Sequence, residues 1–332
     1  MKFRAVLLGG CISLAATLAP INTLAQTAST SSGQGYPNKS IRMLIGFPAG
    51  SSSDIVGRVV ATKLSEGFGR PVVFDNRPGA GGNIAAELVA RAAPDGYTVL
   101  YANTGIAVAH TAYEKLGYDV LRDLVPVGLA AAGPHILIVY PSLPVQSVKD
   151  LIALCKAKPR ALNVASTGAG NSDHFAYELF RAITGAEMVH VPYKGGAQAG
   201  LDVISGQIAA YFGGMGAALP LARAGRVKAL AVTSARRTAI APDIPTMIEA
   251  GVPGYEHVLW NAVFAPAATP KSVIARFDAE LAKAVNAPDV RERFSAIGVE
   301  PAPKSSEEMA RYLKSEIDKY GKIVRAIGLK ID

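Results

Sequence analysis

Two turns of similar composition follow short apolar runs and lead into helical patterns. The first turn, residues 47–54, comes after the run 41–45, and the second, 166–174, comes after 162–165. Both turns are rich in glycine, serine and other small residues. A strand that turns directly into a helix leaves the first helical N–H groups without partners, next to the positive end of the helix dipole. Such a turn attracts an anion, for example a carboxylate.

Each turn alone also fits an ordinary strand-to-helix connection, in which Ser52, Ser53 or Asp54 caps the helix. One such turn in each of two α/β units is a stronger signal, because two facing lobes would bring both turns to one cleft. A ligand with two carboxylates, or with one carboxylate and a polar tail, suits that layout. A third loop, 76–83, also joins a strand to a helix. It contains Arg77, which could help to bind an anion, although an exposed arginine is more often a surface charge.

Other chemistries lack their residue patterns. Loop 76–83 is not followed by Gly-Lys-Ser/Thr, and Asp173 stands where a dinucleotide fingerprint needs its third glycine. No two of the five histidines have the spacing of metal ligands. The sequence contains no Gly-x-Ser-x-Gly elbow, and Ser172, Asp173 and His174 are too close in sequence to form a catalytic relay. We therefore predict a binding protein with no catalytic residues, no cofactor and no metal.

Strands and helices alternate along the chain. Strand-like runs at 41–45, 72–74 and 98–101 enclose helical patterns at 53–67 and 83–92, and this βαβαβ order predicts a parallel sheet covered by helices. A second alternating set follows. Its predicted strands are 162–165, 189–191, 208–212 and 229–233, and its helices are 147–156, 172–184, 197–205 and 217–224. The chain thus contains two α/β units in tandem.

Two extended apolar stretches connect these units. The runs 125–131 and 135–140, separated by Ala132-Gly133-Pro134, are predicted to cross from the first lobe to the second, and 258–265 is predicted to cross back. A short helix is expected from Thr246 to about Ala250. Two amphipathic helices end the chain.

The N-terminus has the pattern of a secretory signal. Lys2 and Arg4 precede an apolar run, and small residues up to Ala25 predict cleavage there and export to the periplasm. The alternatives are an uncleaved membrane anchor and lipidation at Cys11 in a lipobox-like segment. The predicted organisation is signal peptide 1–25, flexible leader 26–35, lobe 1 at 36–131 and 262–332, and lobe 2 at 132–261.

The charge excludes some partners. The formal net charge of +8 falls to +6 when Lys2 and Arg4 leave with the signal, because 1–25 contains no acid. The basic residues are scattered, so nucleic acid is not expected as a partner, while small anionic ligands suit a positive field. Cys155 is then the only thiol, and its apolar neighbours predict a buried side chain.

Several segments, in order, resemble the Bug (TctC-like) family of periplasmic solute-binding proteins of tripartite tricarboxylate transporters. They are Phe47-Pro48-Ala49-Gly50 with Asp54, 76–83, 94–98, 166–170 with His174, 191–196, 230–234, and Trp260 followed by Ala265-Pro266 and Thr269-Pro270. The resemblance extends from about Tyr36 to the C-terminus. It implies an α/β fold of two lobes with two crossover segments, the Venus-flytrap or type II-like periplasmic-binding-protein fold, which closes on a small organic carboxylate.

The resemblance also implies the ligand contacts, with backbone amides and ordered waters holding one carboxylate. By position they are Phe47, Pro48, Ala49, Gly50, Ser51, Ser52, Asp54, Asn76, Ser166, Thr167, Gly168, Ala169, Gly170, Asn171, His174, Tyr193, Gly213 and Gly214. The chain departs from the family at Ser51-Ser52, where a glycine pair is common, and at Asn171, where a serine is common. It also departs at 213–216, where an Asp-Asn segment is common, and at 261–262.

The same resemblance implies membrane permease subunits as partners of a monomer. Two alternatives stay open at this point. One is a protein of the same fold that presents its ligand to a sensor, and the other is an exported enzyme that uses the same cleft.

Overall fold

The computed structural model describes residues 35–331, so the predicted signal peptide and the leader up to residue 34 lie outside the described residues. The strands are β1 (Ile41–Ile45), β2 (Val72–Asn76), β3 (Thr98–Asn103), β4 (Leu124–Val139), β5 (Asn163–Ser166), β6 (Val189–Pro192), β7 (Ala210–Gly214), β8 (Lys228–Val232), β9 (Val258–Pro266) and β10 (Glu300–Lys304).

The helices are α1 (Ser52–Phe68), α2 (Asn83–Ala90), α3 (Gly105–Ala112), α4 (Val120–Asp123), α5 (Val148–Ala157), α6 (Ser172–Thr184), α7 (Gly196–Ser205), α8 (Met215–Arg223), α9 (Lys271–Asn286), α10 (Pro288–Ala296) and α11 (Ser306–Ile327). A 3₁₀ turn, Ala80–Gly82, precedes α2. No helix within residues 35–331 is both long and apolar enough to cross a membrane.

The first α/β unit has the predicted parallel arrangement. Its strands lie in the order β2-β1-β3, with α1 connecting β1 to β2 and α2 connecting β2 to β3. Four of the five residues of β1 are buried, as expected for a parallel strand covered on both faces. The carboxyl ends of these strands meet at one edge of the sheet, where the turn before α1 lies.

The second unit repeats this arrangement. β5 lies between β6 and β7 and is parallel to both, and α6 follows β5 through the turn 167–171. The helices α6 and α7 begin and end within one residue of the predicted bounds. The turns before α1 and α6 are therefore equivalent positions in two similar units.

β4 and β9 connect the two units. The extended stretch predicted from the runs 125–131 and 135–140 forms one strand of 16 residues, which continues through Ala132-Gly133-Pro134. Its first part pairs with β9 as far as Pro134↔Val258, and from His135↔Gly214 onward it pairs with β7. Pro134 therefore lies where the strand changes partners, at the end of one ladder, so its missing N–H interrupts no continuous pairing.

The short helix predicted at 246–250 is wrong. The segment forms turns, and Thr246 makes an isolated bridge to Val232 of β8. Val232 N donates to Pro245 O at 2.8 Å, and Val232 O accepts from Met247 N at 2.9 Å. Ala250 N donates to Thr246 O at 2.9 Å as in a helix, but Gly251 N donates to Ile248 O and Val252 N to Met247 O, so the helical pattern ends after one hydrogen bond.

Candidate ligand site

The first turn is fixed by polar contacts within itself. Ser51 caps α1 and accepts from Asp54 N at 3.2 Å. The carboxylate of Asp54 accepts from Gly50 N at 2.9 Å, Arg58 Nε at 3.0 Å and Asn76 Nδ2 at 2.8 Å. Burial alone would raise the pKa of Asp54, but the hydrogen bonds from Arg58, Asn76 and Gly50 outweigh it and lower the pKa. Asp54 and Asn76 thus brace the turn.

The second turn has the same kind of bracing. Asn171 caps α6, its Oδ1 accepts from Ser172 N at 2.8 Å, and its Nδ2 donates to Thr167 Oγ1 at 2.6 Å. The carboxyl group of Asp173 accepts from Thr167 N at 2.7 Å and from His174 N at 2.9 Å. Burial raises the pKa of Asp173 to about 6 despite these hydrogen bonds. A buried carboxyl group therefore lies directly behind this turn.

A pair of stacked imidazoles also contacts the second turn, at Gly170 and Ser166. The rings of His174 and His190 are 3.9 Å apart between centroids. His174 Nδ1 accepts from Gly170 N at 3.0 Å, and His190 Nε2 lies 2.6 Å from Ser166 Oγ. His174 and Ser166, both predicted as ligand contacts, are thus placed as supports of the turn.

Asn103, at the end of β3, brings the two turns together. Its Nδ2 donates to Ser53 Oγ of the first turn at 3.1 Å and to Asn171 Oδ1 of the second at 3.3 Å. Its Oδ1 accepts from Gly105 N at 2.8 Å, which fixes the orientation of the amide. The carboxamide is buried and faces both turns at once.

A cleft lies between the turns. It is lined by Phe47, Ser51, Ser52, Ser53, Asn103, His135, Thr167, Asn171, Ser172, Asp173, Tyr211, Gly214 and Leu259. Its volume is about 20 Å³, which is enough for a water molecule and too little for an organic acid. The turns must therefore separate to admit such a ligand.

Neutral hydrogen-bond donors dominate this cleft. The hydroxyl of Ser53 accepts from the amide of Asn103 and keeps its own hydrogen for another partner. The hydroxyl of Thr167 accepts from the amide of Asn171 and also hydrogen-bonds to the carboxyl group of Asp173. The N–H groups of Ser52 and Ser53 open α1 and point along the positive end of the helix dipole. Among residues 35–331, no arginine or lysine lines the cleft. An anion here would be held by hydroxyls, amides and helix ends.

The structure separates the predicted contact residues into groups. Those that line the cleft are Phe47, Ser51, Ser52, Thr167, Asn171 and Gly214. Those that build the turns around it are Pro48, Ala49, Gly50, Asp54, Asn76, Ser166, Gly168, Ala169, Gly170 and His174. Tyr193 does not line the cleft: its N–H donates to Ser166 O at 2.8 Å, beside the second turn, and its hydroxyl donates to Asp202 Oδ2 at 2.6 Å.

Gly213 and Gly214 are required by close packing. A Cβ on Gly213 would lie 2.8 Å from the ring of Tyr211, and a Cβ on Gly214 would lie 2.5 Å from Ser52 Oγ. The acid that is common in the family at this segment has no room at Gly213 beside Tyr211.

Sequence reasoning missed seven lining residues, namely Ser53, Asn103, His135, Ser172, Asp173, Tyr211 and Leu259. Ser53, Ser172 and Asp173 belong to the turns that were identified. Asn103 had a usable signal, since Asn-Thr-Gly follows the predicted strand 98–101 as a further strand-to-helix turn. His135 and Leu259 reach the cleft through the pairing of β4 and β9, which no local pattern reveals. Among residues 35–331, no group of three or more histidine, cysteine or acidic side chains is placed to hold a metal ion.

Known proteins share this architecture. The family model TctC, "Tripartite tricarboxylate transporter family receptor", matches residues 56–329. Protein BugT of Bordetella pertussis is 36% identical over 306 residues, which are 92% of this chain and 94% of BugT. The structure of Rpa4515 from R. palustris with adipate has a TM-score of 0.84 at 36% identity, and the match covers 89% of this chain and 99% of that one. The periplasmic binding protein BugD has a TM-score of 0.83 at 30% identity, again over 89% of this chain and 99% of BugD.

These similarities define the class of protein, a two-lobed α/β solute-binding protein with two crossover segments. The chain belongs to the tripartite tricarboxylate transporter receptor family, which includes the Bug proteins. The family and the fold class predicted from the sequence are confirmed.

Proposed function

We propose that this protein captures a small organic carboxylate in the cleft between its two turns and delivers it to a membrane permease of the tripartite tricarboxylate type. The observation that carries this proposal is the double hydrogen bond of Asn103, which joins two helix-opening turns around one space. Helix N-termini and hydroxyl donors suit a carboxylate. The adipate in the structure of Rpa4515 supports the same ligand class.

The remaining parts of the proposal follow from this role. The protein acts in the periplasm after cleavage at Ala25, as a monomer and without catalytic activity. Lobe 1 comprises 36–131 and 262–332, lobe 2 comprises 132–261, and β4 and β9 pass between them. The ligand contacts are the predicted residues that line the cleft, together with Ser53 and Asn103.

A thermal-shift panel of organic acids tests the ligand class. The panel contains adipate, malate, glutamate and benzoate, with glycerol and an amide of one acid as uncharged controls. An acid at about one hundred times its Kd is expected to stabilise the folded protein by about 2.7 kcal/mol. If no carboxylate shifts the transition while an ester or a nucleotide is turned over, the protein is an enzyme and the proposal is wrong.

Thr167 provides a test of the site itself. Replacing Thr167 with alanine removes a hydroxyl that faces the cleft and also leaves Asn171 Nδ2 without its acceptor. We expect the Kd for the best acid of the panel to rise about tenfold, the size of one good hydrogen bond to a charged group. Thr167→Ser keeps the hydroxyl and should bind nearly as well as the native protein. Equal affinities of all three proteins in calorimetry would remove Thr167 from the site.

A further inference from the structure

A chain of buried polar groups runs behind the cleft. Ser172 Oγ lies 2.9 Å from His135 Nε2 and 2.8 Å from His257 Nε2. On the far side of His257, Nδ1 lies 3.1 Å from Tyr320 Oη. The two imidazole rings are nearly parallel, with 5.4 Å between their centroids, and both are buried. The chain joins β4, the first turn of α6, the segment before β9, and α11.

One end of this chain meets a group that only accepts, and the other end has no partner. At the first end the hydroxyl of Tyr320 interacts with the carboxylate of Glu316, which also accepts from Trp260 Nε1 at 2.9 Å. A carboxylate brings no hydrogen of its own. At the other end, His135 Nδ1 has no hydrogen-bond partner among residues 35–331, although only 3% of the His135 surface is exposed.

Counting hydrogens shows that the neutral chain is complete until an acceptor reaches His135 Nδ1. It has four contacts: Glu316 with Tyr320, Tyr320 with His257, His257 with Ser172, and Ser172 with His135. Four groups supply one hydrogen each when the imidazoles are neutral, namely the two hydroxyls and the two rings, and all four contacts are made when each hydrogen is directed towards Glu316. Nδ1 of His135 then carries no hydrogen. A carboxylate that contacts Nδ1 is a further acceptor, and one added proton on the ring of His135 gives that contact its hydrogen.

His135 also lines the ligand cleft. None of the arginines and lysines in the described part of the chain, 35–331, lines that cleft, so these residues place no fixed positive charge beside a bound carboxylate. Burial lowers the pKa of His135 to about 4, which keeps the ring neutral in the free protein at neutral pH. An anion in the cleft favours the charged imidazolium, because opposite charges at short range attract strongly where water is excluded.

We propose that this protein binds its carboxylate together with one proton, and that the proton resides on His135. This rests on the proposed function, because it requires a carboxylate in the cleft. The proton moves from solvent to His135 Nδ1, no covalent bond between heavy atoms changes, and the complex gains the positive charge that the empty cleft does not provide. His135 is then a specificity-determining residue, which favours an anionic ligand over its amide or ester.

Asp173 is the competing site for the proton. It lines the same cleft, and burial raises its pKa. Its oxygens accept from Thr167 N and His174 N, and the hydroxyls of Thr167 and Tyr211 also hydrogen-bond with it. The two N–H groups can only donate, so a proton on the carboxyl group weakens both of these contacts, whereas a proton on His135 Nδ1 weakens none. Lys319 is a further ionisable group near the chain; it lies 3.6 Å from Glu316 and lowers the pKa of His257 further after burial and His135.

Calorimetry in buffers of different ionisation enthalpy measures the proton directly. The probe is adipate, or the panel acid with the largest thermal shift if adipate gives none, at pH 6 and pH 8. We expect close to one proton to be taken up per ligand at pH 6. The Kd should then rise about tenfold per pH unit over the pH range in which a full proton is taken up. The uncharged amide of the same acid should show neither effect.

Variants identify the residue that carries the proton. His135→Asn and His135→Gln should bind without proton uptake, Asp173→Asn should still take up a proton, and His110→Asn, in α3, should behave like the native protein. Nitrogen NMR of the native imidazoles should show His135 changing from neutral to doubly protonated on binding, which holds even if a variant fails to fold. Binding without proton uptake, or uptake that Asp173→Asn abolishes and His135→Asn retains, would overturn this proposal and leave the proposed function standing. If no acid of the panel binds, both fail.

Discussion

Replacing Gly214 with alanine is expected to weaken ligand binding at least tenfold while the protein stays folded. Gly214 ends β7 with φ −58° and ψ 146°, a conformation open to any residue, so alanine brings no backbone strain. The new Cβ would lie 2.5 Å from Ser52 Oγ and 3.1 Å from Ser52 Cβ. The hydroxyl of Ser52, or the whole start of α1, must then move away from β7. A tenfold loss corresponds to about 1.4 kcal/mol.

Gly195→Ala is the matched control for this substitution. Gly195 has extended backbone with φ 177°, and a Cβ there meets no heavy atom within 4 Å. Both variants should unfold at denaturant concentrations close to that of the native protein, but only Gly214→Ala should raise the Kd. Solution scattering of the ligand-bound Gly214→Ala protein should also give a larger radius of gyration than the native complex. An unchanged Kd for Gly214→Ala would show that the contact between β7 and α1 is not part of the bound state.

The free energy of unfolding is expected to fall by several kcal/mol between pH 7.5 and pH 5. Burial lowers the pKa of His135 to about 4, burial together with His174 lowers the pKa of His190 to about 4, and burial lowers that of His257 well below its usual value. In the unfolded chain each imidazole titrates near 6.5. The three neutral histidines therefore make their full contribution to the free energy of unfolding above pH 6.5, and this contribution is lost as the pH falls towards 4.

Asp173 acts in the opposite direction. Its pKa of about 6 exceeds the unfolded value of 3.8, so the native state holds the extra proton between these values and gains stability as the pH falls. Between about pH 6 and 4, the unfolded chain binds three more protons than the native protein on its histidines and one fewer on Asp173. The unfolded state therefore holds two excess protons. Each excess proton changes the free energy by about 1.4 kcal/mol per pH unit.

Urea unfolding at half-unit steps of pH measures this dependence. His135→Asn should reduce the slope by about one proton, whereas His110→Asn should leave it unchanged. A native protein whose stability is flat between pH 7.5 and 5 would contradict the assignment of neutral, buried imidazoles. The experiment is done without ligand, so that proton uptake on binding does not enter the slope.

Local patterns were sufficient for most of the fold. Helix α6 was predicted with its observed bounds, because Asn171 and Ser172 give a strong start signal and Gly185 a strong stop. The parallel units followed from the alternation of apolar runs with helical patterns. The helix predicted at 246–250 was wrong, because Thr246 pairs with Val232 of a strand that is distant in sequence, and local periodicity carries no information about such a partner.

The sequence predicted which residues form the turns of the site better than it predicted where their side chains point. The turns 47–54 and 166–174 were identified, but the sequence could not tell that Asp54, Asn76 and His174 direct their polar atoms into the turns. That orientation depends on burial and on partners such as Arg58 and Gly170. Asn103 was missed although the strand-to-helix turn after 98–101 was a usable local signal, and His135 was missed because strand register, which is set by the whole sheet, brings it to the cleft.

The uninterrupted β4 also limits how this protein can move. Since one strand is hydrogen-bonded to β9 in its first part and to β7 in its second, no flexible loop separates the two halves along that path. A relative movement of the two halves along this path therefore twists β4 over several residues, rather than rotating one backbone bond through a large angle.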